Sequence, residues 1–227
     1  MKNTTAQQEE VKKKVAGISL GLAIVVGFFL ACLAIFVFIA DEMVLENENR
    51  LDIWAFQKLA HITNTATTNL MVGITFFGSS YFLLPAYALL VLFFLFKRNR
   101  KLSINITAIG ITSTVILFSL KYIFHRHRPL DPLVQNVNGF SFPSGHSFSS
   151  FTFFGLLIYI LWNTNMDRSL RWVLSILFFL CAAAIAFSRV YLHVHYASDV
   201  VAGFCLCIMW LLLSFWGLEK FNKKRPA

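Results

Sequence analysis

Three short polar clusters interrupt a strongly apolar chain. The first runs from Lys121 to Pro129 and carries Arg128. The second is Pro143-Ser144-Gly145-His146. The third runs from Ser188 through Arg189 and His195 to Asp199. Fixed cations, imidazoles and a carboxylate are the set needed to bind and cleave a phosphate ester. Arg offers planar bidentate donors to phosphoryl oxygens, and Lys a compact charge. His195 and Asp199 are four residues apart, hence neighbours on one helical face. Asp199 can accept from one ring nitrogen and leave the other unprotonated and aimed outward, as an oriented nucleophile requires. An ionisable group within a membrane helix costs roughly 2.5–3.5 kcal/mol on insertion scales, so Asp199 needs a compensating role. Lys121 and Arg128, seven residues apart, share a face on a continuous helix. Pro129 disfavours helix at Arg128, so that helix is expected to end there. Ser144 can cap the next helix, and Gly145 lets backbone approach a ligand closely. Free amides at a helix start attract anions, which leaves His146 standing over a bound phosphate. Arg189 reaches the phosphoryl oxygens from a facing helix. Each cluster alone also has a plainer reading: snorkelling cations, an ordinary turn with a cap, a structural His–Asp pair.

The elements that position these residues follow from composition. The chain has 227 residues, 57% of them hydrophobic and 14% charged, too apolar for a soluble domain. Apolar runs of about 20 residues mark membrane helices. Spans are predicted at residues 17–40, 77–96, 103–124, 147–164, 172–188 and 197–217. Residues 51–66 mix polar and apolar positions and are predicted as a helix lying in the interface. The stretch 68–80, with Gly78, Ser79 and Ser80, is predicted as a broken entry to the second span. The first apolar run exceeds the ~7–15 residues of a signal-peptide core and lacks a small-x-small site, so a retained anchor is expected. Cys32, Cys181, Cys205 and Cys207 lie in apolar runs and read as small buried hydrophobes, without disulfide or zinc spacing. No repeat or linker appears, so residues 1–227 read as one domain.

The formal charge of +9 raises the question of nucleic acid. The basic residues instead sit in tracts between apolar runs, which is how topology is set, and no nucleic-acid partner is expected. Six spans place Lys12, Lys13, Lys14, the 97–101 loop, the 165–171 loop and Lys220, Lys223, Lys224 and Arg225 on one side, the cytoplasm by the positive-inside rule. The acidic loop of Asp41, Glu42, Glu46, Glu48 and Asp52 lies on the other side with all three clusters. The predicted fold is an all-α bundle of six transmembrane helices with its site at the outer face.

Lys, six residues, Arg-Pro, then Pro-Ser-Gly-His, then Ser-Arg, five residues, His, three residues, Asp: this order resembles the type 2 phosphatidic acid phosphatase and haloperoxidase superfamily. Every specified position matches across 121–199, while residues 1–100 resemble the family only in layout. The resemblance implies that His195 is the nucleophile forming a phosphohistidine and Asp199 its orienter. It implies that His146 is the general acid and then the base. Lys121, Arg128, Arg189, Ser144 and the Gly145 amide are implied as the phosphate cradle. No metal or cofactor is implied, since fixed cations take the place of Mg²⁺ and no carboxylate cluster competes to hold one. His125, Arg126, His127 and His193 flank the motifs and read as interfacial or supporting residues, and His61 as solvated. The short connection from Pro129 to Pro143 suits an amphiphile entering sideways among the membrane lipids. The expected substrate is a phosphorylated lipid: phosphatidic acid, phosphatidylglycerol phosphate, an isoprenyl diphosphate or a lipid A phosphate. The expected location is a bacterial inner membrane, with the site facing the periplasm or exterior. A lipid phosphotransferase and a non-catalytic scaffold are the alternatives; the spans weigh against a haloperoxidase.

Overall fold

The computed structural model describes residues 2–45, 50–135 and 137–223, with side chains for 20–44, 50–135 and 137–218. Glu46, Glu48, Lys224 and Arg225 lie outside the described residues, as do the side chains of Lys12, Lys13, Lys14, Lys220 and Lys223. The described residues are helices and connections without a strand. Helix α1 (Lys2–Phe38) runs on into a π-helical turn at Ile39–Leu45. The others are α2 (Arg50–Ala60), α3 (Thr65–Phe76), α4 (Ser80–Phe96), α5 (Arg100–Phe124), α6 (Gly145–Trp162), α7 (Arg168–Tyr191) and α8 (Ala197–Lys223). Side-chain caps fix several starts. Asn64 forms a capping box with Thr67, and the side chains of Asn99, Ser144 and Asp167 accept from first-turn amides of α5, α6 and α7.

Six segments are long and apolar enough to cross a bilayer, with α3 and α4 together forming one of them. The chain is therefore an integral membrane protein. Helix α6 is central, packed against α4, α5, α7 and α8; α1 lies on α8, and α3 on α7. The interior holds Phe142, Phe148, Ile106, Leu156 and Ile185, all fully buried. Leu22, Leu84, Leu89, Phe96 and Ile176 point outward, an exposure that suits hydrocarbon as solvent. Alternating helix direction brings the ends of α5 and α7 and the starts of α6 and α8 to one level. The exposed Lys97, Arg98, Arg100 and Lys101 begin α5 at the opposite end.

Several predicted elements differ. The interfacial helix stops at Ala60 rather than 66, and a turn leads into α3. The entry to the second span is broken as expected, at Phe77–Ser79, but the part before the break, α3, is a regular helix packed on α7. Helix α5 ends at Phe124, short of Arg128, because His125 takes the left-handed conformation at its C-cap (φ 50°). Lys121 and Arg128 therefore share no helical face. Cys32, Cys205 and Cys207 are buried, but Cys181 is only half-buried.

The α3–α4 break depends on Gly78. A Cβ there would lie 2.3 Å from Ile185 Cγ2 and 2.9 Å from Ser150 Oγ, so any larger residue forces α3–α4 away from α6 and α7. Gly73, in α3, faces open space. Gly78→Ala is expected to cost about 1–3 kcal/mol through overpacking, read as a lower thermal midpoint in detergent. Gly73→Ala serves as the control with little change.

Candidate active site

The loop between α5 and α6 wraps back over the ends of both helices. Lys121, on the last turn of α5, donates through Nζ to the carbonyls of Phe140 (2.5 Å) and Ser141 (3.4 Å). Its stem passes Gly145, where a Cβ would stand 3.8 Å from Lys121 Cε and 3.3 Å from Leu117 Cδ2. The start of α6 is thus held tight against α5. Arg128 comes from the loop itself. Its Nε donates to Gly139 O (2.9 Å) and its Nη2 to Asn138 O (3.1 Å). Its Nη1 donates to Val194 O (2.7 Å) and meets His195 Nε2 at 3.2 Å.

That last contact assigns the imidazole. A guanidinium only donates, so Nε2 accepts and carries a lone pair. The ring proton then sits on Nδ1, which faces Asp199 Oδ2 at 3.4 Å. Burial pushes the His195 pKa down to about 3, with Arg128 and Arg189 acting in the same direction against the pull of Asp199. The ring is neutral at physiological pH. His195 precedes α8 rather than lying on it, so the expected shared helical face is not how the pair forms. Helix α7 ends at Tyr191, and the amides of Val194 and His195 both donate to Arg189 O (3.2 Å each). Asp199 sits in the first turn of α8 and accepts the Tyr196 amide at 3.0 Å, as a capping carboxylate does.

Arg189 is buried on the last turn of α7 and donates through Nη1 to Thr75 Oγ1 of α3 (2.7 Å). Its Nε is buried without a hydrogen-bond partner among the described residues. His146, at the second position of α6, lies within Coulombic range of Arg189, His195, Arg128 and Lys121. The Gly78 break backs its ring: a Cβ at Gly78 would stand 3.1 Å from His146 Cδ2. Ser144 is fully buried. Its hydroxyl oxygen accepts from Ser147 N (3.5 Å) and Ser147 Oγ (3.0 Å), and its amide donates to Asp199 O (3.1 Å). So the structure brings Lys121, Arg128, Ser144, Gly145, His146, Arg189, His195 and Asp199 together at one end of the bundle.

Two residues outside the predicted site belong here as well. Of the two readings of Arg126, interfacial or supporting, the structure has the supporting one: it is buried and its Nη1 donates to Asp199 Oδ1 at 2.7 Å. Asp52, read with the acidic loop and at the start of the interfacial helix, joins the site. It is fully buried on α2 and accepts from Arg126 Nη2 at 2.9 Å. The signal for Asp52 was a lone acid between Leu51 and Ile53-Trp54; nothing in the chain paired it with residue 126. Thr75, a hydroxyl within an apolar run, gave no signal at all. His125 and His127 are exposed, His61 is exposed as expected, and His193 is half-buried with its ring 4.6 Å from that of Phe56.

Three cations around two imidazoles suit a tetrahedral phosphoryl group, and the lone pair of the neutral His195 ring lies on the side of Arg128. Thr75→Val strands a buried guanidinium N–H, at a cost of about 1.5–3 kcal/mol. A fall in the thermal midpoint of several degrees is expected, with Thr75→Ser close to the parent; equal midpoints for the two would remove the Arg189 contact from the account.

A family model described as the PAP2 superfamily matches residues 102–223. An undecaprenyl-diphosphatase of Sulfolobus acidocaldarius is 32% identical over 156 residues, 66% of this chain and 70% of its own. A phosphatidylglycerophosphatase B of Bacillus subtilis is 32% identical over 159 residues, 68% of this chain and 74% of its own. Among solved structures, the transmembrane PAP2 type phosphatidylglycerolphosphate phosphatase of Bacillus subtilis superposes with a TM-score of 0.73 at 28% identity, covering 89% of this chain and 98% of that one. Aquifex aeolicus LpxE shares the fold, with a TM-score of 0.55 at 23% identity over 72% of this chain and 94% of its own. With the motif residues gathered at one end of a membrane bundle, these likenesses settle the class: the chain belongs to the PAP2 superfamily and is a membrane-embedded phosphoric ester hydrolase.

Proposed function

We propose that the enzyme removes a terminal phosphate from a membrane lipid through a phosphohistidine at His195. The observation that carries this reading is the His195 ring, with its Nε2 lone pair beside Arg128 and its Nδ1 proton toward Asp199. In the first step Nε2 forms a bond to phosphorus while the bond from phosphorus to the leaving oxygen breaks. His146 gives a proton to that oxygen. Lys121, Arg128, Arg189 and the start of α6 at Ser144-Gly145 hold the three phosphoryl oxygens as charge spreads over them. Asp199 stabilises the positive charge that develops on the ring. In the second step water attacks phosphorus, His146 takes its proton, the N–P bond breaks and phosphate leaves.

The lipid is an isoprenyl diphosphate or phosphatidylglycerol phosphate, the two chemistries carried in the names of the relatives. Both present a phosphate at the headgroup and apolar chains that the lipid-facing helices accommodate. The site faces the periplasm or exterior, on the side away from the basic 97–101 loop.

The test is phosphate release by purified protein from these two lipids, from phosphatidic acid and from a lipid A phosphate. His146→Ala is expected to lower turnover by about 10²–10⁴-fold, the usual weight of a general acid. His195→Ala is expected to abolish both release and the acid-labile labelled phosphoenzyme trapped from the parent. Asp199→Asn lowers kcat more than it raises KM. Activity is expected to persist in excess EDTA. A phosphoenzyme that survives His195→Ala overturns the reading.

A further inference from the structure

Asp199 touches His195 with one oxygen only; the other is held by a second layer of charge. Arg126 Nη1 donates to Asp199 Oδ1 (2.7 Å) and meets Ser198 Oγ (2.8 Å). Arg126 Nη2 donates to Asp52 Oδ2 (2.9 Å). Asp52 also accepts the Ser198 amide on Oδ1 (2.9 Å) and the Ser198 hydroxyl on Oδ2 (2.7 Å). The guanidinium carbon lies 4.1 Å from the centre of the Tyr196 ring. Asp52, Ser198 and Asp199 are fully buried, and Arg126 nearly so. Among the described residues the ion pairs run carboxylate, guanidinium, carboxylate, two negative charges flanking one positive.

Charge decides what this arrangement does. A buried Arg126 with Asp199 as its sole carboxylate would neutralise it and weaken its hold on a positive His195 ring. With Asp52 on its far side the guanidinium is balanced, and the triad keeps one net negative charge to set against the imidazole. Arg126 also fixes the carboxylate plane, because its fork engages two carboxylates at once. Asp52 lies on α2, outside all three motif clusters, and binds the first turn of α8 through Ser198.

We infer that Asp52 and Arg126 are positioning residues for the reaction: a charge-balanced clamp that orients Asp199 and preserves its negative charge for His195. The clamp rests on the roles of His195 and Asp199 proposed above.

Asp52→Asn removes one of the two carboxylates on Arg126 and leaves its charge to draw on Asp199. It is expected to lower kcat about tenfold or more while KM changes by less than about twofold, the pattern of an interaction made in the transition state. Adding Arg126→Gln to Asp52→Asn restores the net negative charge and is expected to recover a good part of kcat. A merely structural role makes the double variant at least as damaged as the worse single one, and that result overturns the clamp. Ser198→Ala removes one contact to Asp52 without burying an unpaired charge. It provides a milder variant that folds, expected to show a smaller loss confined to kcat; a loss confined to KM overturns the inference. His195→Ala in the same series separates the two readings. If His195→Ala stays active, the nucleophile assignment has failed; if it is inactive while Asp52→Asn matches the parent, only the clamp has failed.

Discussion

Asp199 is a carboxylate with no exposure to solvent at the start of a membrane helix, and the site is organised around satisfying it. A buried charge persists only when donors and a cation surround it. Here Arg126 holds one oxygen, and Ser141, the Tyr196 amide and His195 crowd the other. Its backbone carbonyl takes the Ser144 amide. These bonds come from the loop after α5, the turn before α8 and the cap of α6. One side chain and its peptide therefore tie together all three polar clusters.

The cations are treated differently according to what they face. Arg126 is enclosed between two carboxylates and belongs to the support of the dyad. Lys121 and Arg128 make no hydrogen bond to a carboxylate among the described residues and lean on the carbonyls of Asn138, Gly139, Phe140 and Val194. Carbonyl contacts hold a cation in place without cancelling its charge, so under the proposed function a phosphoryl group would meet donors already aimed and still charged. Arg189 keeps an unmatched Nε for the same use. The carbonyls come from a loop of irregular backbone at the helix ends, where such backbone is tolerated in a membrane protein.

The bundle supplies rigidity at this end and apolar surface elsewhere. Close approaches fix α6, which carries His146: Gly78 lets the α3–α4 break press against it, and Gly203 brings α8 close enough that a Cβ there would stand 3.0 Å from Ser144 O. Outward-facing Phe and Leu side chains then present a continuous hydrocarbon surface to lipid chains. Headgroup chemistry and chain solvation are thus separated along the bundle axis.

The spans, their number and the three clusters were legible in the chain because each is a local property. Apolar run length reports a bilayer crossing, and residue spacing within a cluster reports its chemistry. Helix parity alone then places the clusters at one level. Which atoms meet was decided elsewhere. His125 takes a left-handed conformation and ends α5 early, so Arg128 reaches Nε2 of His195 from a loop. Asp52 and Arg126 are 74 positions apart and become partners only when α2 folds onto α7 and α8. Hydrophobic pattern carries no record of such a pairing, because a buried ion pair is specified by two distant surfaces closing on each other. Sequence order thus sets the reagents and gathers them at one end of the bundle; packing sets the tautomer of His195 and the charge behind it.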